Sequence, residues 1–317
     1  MATWNELLND LQMQGGPAID AWYADHLEQS LSDISALRGG RNVLLYGSGF
    51  LQKPAVPAPH VIMMPEDING IMAAFAGMDW SKGLTVVLHT PGGVTSAAQT
   101  LVEYVRSKFA SVEVIVPAFA MSAGTMFSLA SDLVVMGNQS QLGPIDPQLQ
   151  MNGQQHSARA IVEQFMQARK EIVGDPLTGA IGDPAAGHVW APILGSMGPA
   201  LLQYAQDQLD FSERMVARWL EQYMMAGEAD PAAAGQRIAK YFNDASNHKS
   251  HDKRIGIEEA RAQGVKVEKL EDSQPLQEAV LTLYHVLTIL IERTPTTKII
   301  TSGAGRNWVK SWVGNTP

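Results

Sequence analysis

Cysteine is absent from the 317 residues. Its absence removes disulfide frameworks, thiolate zinc sites, iron–sulfur clusters and a cysteine nucleophile together. A covalent catalyst built from this chain must use an oxygen or a lysine. Basic side chains are the minority charge, 23 Lys and Arg against 32 Asp and Glu, or 23 − 32 = −9. A general nucleic-acid binder carries a basic patch or stripe, so that class is set aside. No stretch reaches the ~18–20 uninterrupted apolar residues of a membrane span. The nearest, Leu276 to Ile291, is broken by Gln277, Glu278, His285 and several threonines. The first residues lack the basic n-region and apolar h-region of a secretory signal. Neither a Gly-x-Gly-x-x-Gly opening a helix nor a Walker A motif is present, so no dinucleotide fingerprint and no ATPase of the chain's own are expected. These absences predict a soluble, cytoplasmic protein with no membrane span and no nucleic-acid partner.

At 45% hydrophobic and 17% charged residues the chain can bury a full core and is far from disorder. Residues 1–40 read as polar helical segments, and Arg41 to Gly47 as a first strand. A Pro-rich connection follows, then a helix start at Pro65 with acids in its first turn. From Leu84 the pattern is regular. Leu84 to His89 is a short apolar, β-branched run, the mark of a buried strand. Ala97, Ala98, Leu101, Val102, Val105 and Phe109 then recur at helical spacing. Val112 to Pro117 is a strand, Ala123 to Ala130 a small-residue helix, and Leu133 to Met136 a third strand. Alternation of this kind implies right-handed crossovers and a parallel sheet covered by helices, an α/β core.

Residues 174–199 hold six Gly and four Pro in 26 positions. A loop of that length inside a compact protein is a lid, a binding loop or disorder. Beyond it, 201–225 is helical and 257–264 is a short helix with a glycine cap. The helix over 276–292 is apolar on more than one side, which suggests burial, perhaps against another subunit.

Chemistry concentrates between His89 and Gln148. Ala120-Met-Ser-Ala-Gly-Thr125 sets Ser122 at a strand–helix junction among small residues. A serine there projects from a tight turn, beside the next residue's N–H and a helix N-terminus that stabilises developing negative charge. A serine N-cap is the plainer reading of the same residue. Thr90-Pro91-Gly92-Gly93, one strand–helix unit earlier, can present an unobstructed backbone N–H as a second oxyanion donor, or be only a turn that admits φ > 0.

Leu88-His-Thr-Pro-Gly-Gly93, Val116-Pro-Ala-Phe-Ala-Met-Ser-Ala-Gly-Thr-Met126, Met136-Gly137, Leu142-Gly-Pro-Ile-Asp-Pro-Gln148 and His248-Lys-Ser-His-Asp-Lys-Arg-Ile255 with Glu258-Glu-Ala260 resemble the serine dehydrogenase proteinase family. That family lies in the Clp protease/crotonase superfamily and is similar to signal peptide peptidase A. The resemblance covers roughly residues 41–305. It implies a Clp protease/crotonase-like parallel sheet with covering helices and a helical C-terminal region. The implied organisation is an N-terminal helical segment (1–40), a catalytic core (41–173), a Gly/Pro-rich loop or lid (174–200) and a helical region (201–317) completing the core and making oligomer contacts. Many relatives begin with a membrane-spanning segment, which this chain lacks.

The resemblance implies Ser122 as nucleophile and the N–H groups of Gly93 and Ala123 as oxyanion hole, with a peptide or protein as substrate, no cofactor and a homo-oligomeric state. An external unfoldase or partner is compatible with it. A hydroxyl needs a base near neutral pKa, a histidine or a desolvated lysine. No histidine stands at the Clp-type distance after the serine. Our assignment is His251 as base, oriented by Asp146, which requires the C-terminal region to fold back over the sheet. The rival bases are His248, His89, Lys249 and Lys170. His248-x-x-His251 without a Glu or an obvious third ligand is a weak metal signal, and no metal is expected. Against the peptidase stand a crotonase-type acyl-CoA enzyme, an α/β-hydrolase esterase (Ser122, Asp146 and His251 run in that order) and a scaffold that kept the fold and lost the base.

Overall fold

A computed structural model describes residues 2–151, 153–244 and 248–314. Five strands form a parallel sheet: β1 (Asn42–Ser48), β2 (Leu84–His89), β3 (Val112–Val116), β4 (Leu133–Met136) and β5 (Val267–Lys269). Two more, β6 (Thr296–Ser302) and β7 (Asn307–Ser311), join antiparallel at the β1 edge, giving the order β5-β4-β3-β2-β1-β6-β7. The central strands are buried on both faces, so they read as continuous apolar runs rather than alternating ones. Alternation survives in which layer each side chain enters. Leu44, Tyr46, Val86 and Val114 pack on one face; Val43, Leu45, Val87 and Ile115 pack on the other.

The first face is covered by α3 (Ile68–Phe75), α4 (Thr95–Lys108), α5 (Ala123–Leu129), α8 (Leu201–Gln222), α9 (Pro231–Asn243) and α10 (Ile257–Ala262). The second is covered by α1 (Trp4–Gln12), α2 (Ala18–Leu37) and α11 (Gln274–Arg293). The N-terminal helices are thus amphipathic rather than simply polar, and bury Leu7, Leu11, Trp22, Leu31 and Ile34. Their apolar stripe packs on the wide apolar face of α11, so the burial expected for that face is met at least in part within the chain. Among the described residues the region after 201 supplies α8, α9, α10 and α11 with loops and the short β5 between them, and then β6 and β7, two strands that the sequence pattern did not announce.

Residues 174–199 contain a two-stranded ribbon (Gly174–Asp175 with Ala180–Ile181), a 3-10 turn (Pro184–Ala186) and α7 (Gly187–Gly195). They follow α6 (Ala158–Val173), which packs on α8 through Ile161, Ala205 and Leu209. Beyond this ordered frame, Val173, Leu177, Ile181 and Val189 stand exposed, Leu177 and Ile181 almost completely.

Two buried charge clusters brace the sheet. Arg38, at the end of α2, grips Glu113 through Nε (2.9 Å) and Nη2 (2.7 Å) and reaches Glu268 through Nη1 (2.8 Å). Burial raises the Glu113 pKa, but the Arg38 and Thr85 hydrogen bonds outweigh it and hold the carboxyl below its ordinary range. Lys298 on β6, fully buried, donates to both Asp67 oxygens (2.8 and 2.9 Å) and to Ile62 O (2.6 Å). Tyr46 OH and Met64 N–H also donate to Asp67, at 2.6 and 2.9 Å. Every oxygen of that carboxylate is engaged, which is what a buried charge needs.

Candidate active site

The strand that leads to Ser122 does not run straight into its helix. After β3, Phe119–Ala120 pairs parallel with Gln141–Leu142, and Ala120 bridges Thr90. Thr90 N–H donates to Phe119 O (2.9 Å) and Met121 N–H to Thr90 O (3.1 Å), so the two loops are stitched backbone to backbone. The chain then turns sharply at Ser122, whose φ of 51° and ψ of −115° lie outside the regions open to most L-residues. Such a conformation costs roughly 1–3 kcal/mol and persists only where the surroundings over-determine it. Ser122 O accepts from Met126 N–H (3.0 Å) and Ser122 caps α5 without a side-chain cap bond. The plainer reading of Ser122, a hydroxyl used as N-cap, therefore does not describe it.

Glycine is obligatory next to this turn. A Cβ on Gly92 would lie 2.6 Å from Ser122 Cβ and from Met121 O, and one on Gly93 would lie 2.3 Å from Met63 O. The two glycines differ in their N–H groups. That of Gly92 donates to Thr90 Oγ1 (3.1 Å). The bridge of Gly93 to Met63 uses only its neighbours, Met63 N–H to Gly92 O (2.7 Å) and Val94 N–H to Met63 O (3.0 Å). Among the described residues the N–H groups of Gly93 and Ala123 find no acceptor. The Asp67–Lys298 cluster fixes Met64, the residue after Met63, and so braces the segment on which Gly93 rests.

Asp146 arrives from the other side of the same turn. Thr125 Oγ1 donates to Ala120 O (2.7 Å) and accepts from Gly143 N–H (2.9 Å), which ties Leu142-Gly-Pro-Ile-Asp-Pro-Gln148 to α5. The C-terminal region does fold back here: Leu142 and Ile255 exchange backbone hydrogen bonds of 3.0 and 2.9 Å, and Ile145 N–H donates to Phe242 O (2.8 Å). His251 is thereby delivered to Asp146, and Nδ1 and Oδ1 lie 2.8 Å apart. The Asp146 side chain is wholly buried while that of His251 is 24% exposed. Gln148 Nε2 donates to the other oxygen, Oδ2, at 2.8 Å. Gln148 is a contributor the sequence reading passed over, although it closes the most distinctive motif of the chain. With Nδ1–H given to the carboxylate, a neutral His251 presents Nε2 as its acceptor, the tautomer a general base requires. Ser122 Oγ itself has no hydrogen-bond partner among the described residues, His251 included.

The rivals fall elsewhere. His89 is fully buried among Phe50, Phe119 and Tyr284, neither ring nitrogen has a partner among the described residues, and burial pushes its pKa down to about 3. It is neutral and aromatic in function, a wall of the Thr90 turn. His248 Nε2 meets Tyr241 O at 2.7 Å. Lys170 pairs with Asp175 (3.0 Å) on an exposed face. Lys249 has a left-handed backbone, φ 65°, two residues before His251. Among the described residues no three His, Asp or Glu side chains converge as a metal site would need, and no helix is long and apolar enough to cross a membrane.

The parallel sheet, its covering helices and the serine turn define an α/β protein with a large, mostly parallel sheet. Residues 52–180 match the sequence model of one family, described as ClpP-like SDH-type serine proteinase, and over that segment the chain is similar to the serine dehydrogenase proteinase family, as its motifs indicate. Two curated relatives from Methanocaldococcus jannaschii match: uncharacterized protein MJ0137, 39% identical over 84 residues (26% of this chain, 29% of the relative), and uncharacterized protein MJ1495, 29% identical over 112 residues (35% and 37%). The chain spans only about a third of the length of these relatives. Among solved structures, the 1510-N membrane-bound stomatin-specific protease is similar in a serine-to-alanine mutant (18% identity, 65% of this chain, 75% of that one, TM-score 0.37). A lysine-to-alanine mutant of the same protease, in complex with a substrate peptide, is similar too (19%, 64%, 68%, TM-score 0.37).

Proposed function

We propose that this protein is a serine peptidase. Ser122 Oγ attacks the scissile carbonyl and passes its proton to His251 Nε2, and the oxyanion forms against the N–H groups of Gly93 and Ala123. His251 then protonates the leaving amine, and water hydrolyses the acyl-enzyme through the same base. Asp146 holds the tautomer and balances the imidazolium, with Gln148 fixing the carboxylate. The observation that carries the reading is the pairing of a strained, uncapped Ser122 with two N–H groups that have no acceptor. The His251–Asp146 contact across 105 residues of sequence supports it. Catalysis needs His251 Nε2 within about 3 Å of Ser122 Oγ, a contact that commonly tightens only with substrate bound.

The remainder of the proposal is a cytoplasmic enzyme without metal or cofactor, acting as a homo-oligomer on peptides or proteins, with an external unfoldase as a compatible partner. The test is cleavage of casein and of a mixed peptide pool by wild type and by Ser122→Ala. Turnover in wild type, with a fall of at least about 10³-fold in the variant, is expected. Equal turnover by the two proteins contradicts the assignment, and no turnover by either favours the scaffold.

A further inference from the structure

Beside the His251–Asp146 pair lies a cavity of about 220 Å³ whose walls include Ser157, Arg159, Glu163 and Lys249. Its size suits one side chain or chain end. Arg159 Nε and Ser157 Oγ are buried there, and neither has a hydrogen-bond partner among the described residues. Buried donors without acceptors are uncommon in folded proteins, and a guanidinium is the side chain best shaped to take a planar two-oxygen acceptor. Asp146, whose oxygens accept from His251 and Gln148, makes no hydrogen bond to Arg159 among the described residues. Glu163, one turn along α6 from Arg159, lines the same cavity, and no ion pair joins the two among the described residues.

We propose that this cavity is a carboxylate-binding subsite of the peptidase, in which Arg159 and Ser157 hold a substrate carboxylate while Lys249 screens it at the rim. The charge balance narrows the ligand. Arg159 and Lys249 are matched by Glu163 and the already engaged Asp146, so the walls carry no net charge (2 − 2 = 0), which disfavours a dianion such as phosphate far more than a single carboxylate held by hydrogen bonds. The carboxylate comes either from an acidic side chain or from the free end of a peptide. Substrates would therefore be cut near an acidic residue or near their C-terminus. This inference rests on the peptidase reading for its function, but the binding step stands on the cavity alone.

The test uses the full chain carrying Ser122→Ala, so that peptide is bound and not consumed. Fluorescein-labelled oligo-alanine peptides carry one Glu or Gln, each with a free or an amidated C-terminus, and binding is read by fluorescence anisotropy. A peptide with the right carboxylate is expected to bind about tenfold more tightly than its neutral counterpart, the scale of a charged hydrogen bond. The preference should vanish with Arg159→Gln and return in part with Arg159→Lys. Loss with Glu→Gln in the peptide identifies an acidic side chain, and loss on amidation identifies a chain end. Equal binding of charged and neutral peptides, or a preference that survives Arg159→Gln, overturns the subsite. Failure of the peptidase reading is read separately, as wild type that cleaves no peptide while the carboxylate preference persists.

Discussion

The two halves of the candidate site are built by opposite means. Ser122 is held by its own neighbourhood: a backbone-paired turn, glycines against which no Cβ fits, and residues of α5 buried on all sides. His251 sits on a half-exposed segment and is oriented by one side-chain hydrogen bond to Asp146, with the Leu142–Ile255 bridge as its tether. The oxyanion side needs rigidity, because its donors must already be aimed where charge will develop. The histidine side must accept and release a proton, and retains room to do so.

Breaking the comparison at its histidine half should cost rate and spare the fold. Asp146→Asn preserves shape but reverses the tautomer preference of His251, so kcat for peptide cleavage should fall by roughly 10⁴. Circular dichroism melts, run alongside, should show a modest loss, since only one of the two accepting oxygens is replaced. A variant that loses the fold instead would mean that Asp146 is structural first.

The serine half should behave in the opposite way. Gly92→Ala drives a Cβ into Ser122 Cβ and Met121 O at a φ of 100°, and is expected to destabilise the protein by about 2–4 kcal/mol in urea unfolding, with activity lost as a consequence. Unchanged stability with full activity would show that the turn is looser than its geometry implies.

His89, beside the Thr90 turn, sharpens the contrast further. His89 has a folded-state pKa of about 3 against 6.5 in the unfolded chain. Above pH 6.5 neither state is protonated and the native state has its full stability. As pH falls toward 3 the unfolded chain takes up a proton that native His89 refuses, so stability is lost, by about 2–3 kcal/mol between pH 6.5 and 4.5. His89→Phe, which suits the Phe50, Phe119 and Tyr284 surroundings, should flatten that part of the stability–pH curve. An unaltered acid limb would show that His89 is not desolvated.

What could be read from the sequence follows the same division. Strands from Leu84 to Met136, the Ser122 turn and the two glycines are local, set by residues within a few positions of each other, and they stand where composition and spacing put them. The Asp146–His251 contact was reachable only through family motifs, because 105 residues separate the partners. Gln148 and the Lys298–Asp67 cluster gave no signal: a glutamine after Asp-Pro is unremarkable alone, and Lys298 lies 231 residues from the carboxylate that neutralises it. The antiparallel β6 was missed because Thr296 to Ser302, with three Thr and a Lys, reads as surface, whereas it is buried between β1 and β7. The apolar breadth of α11 was seen, but not that α1 and α2 cover it.

The most direct measurement is the site of covalent modification by a fluorophosphonate probe, mapped by peptide mass spectrometry and followed in rate from pH 5 to 9. The account predicts one adduct, on Ser122, whose rate rises with deprotonation of a single histidine-like group and drops by orders of magnitude in His251→Ala. Labelling at another residue, or a His251→Ala protein that labels on Ser122 at the wild-type rate, would contradict it.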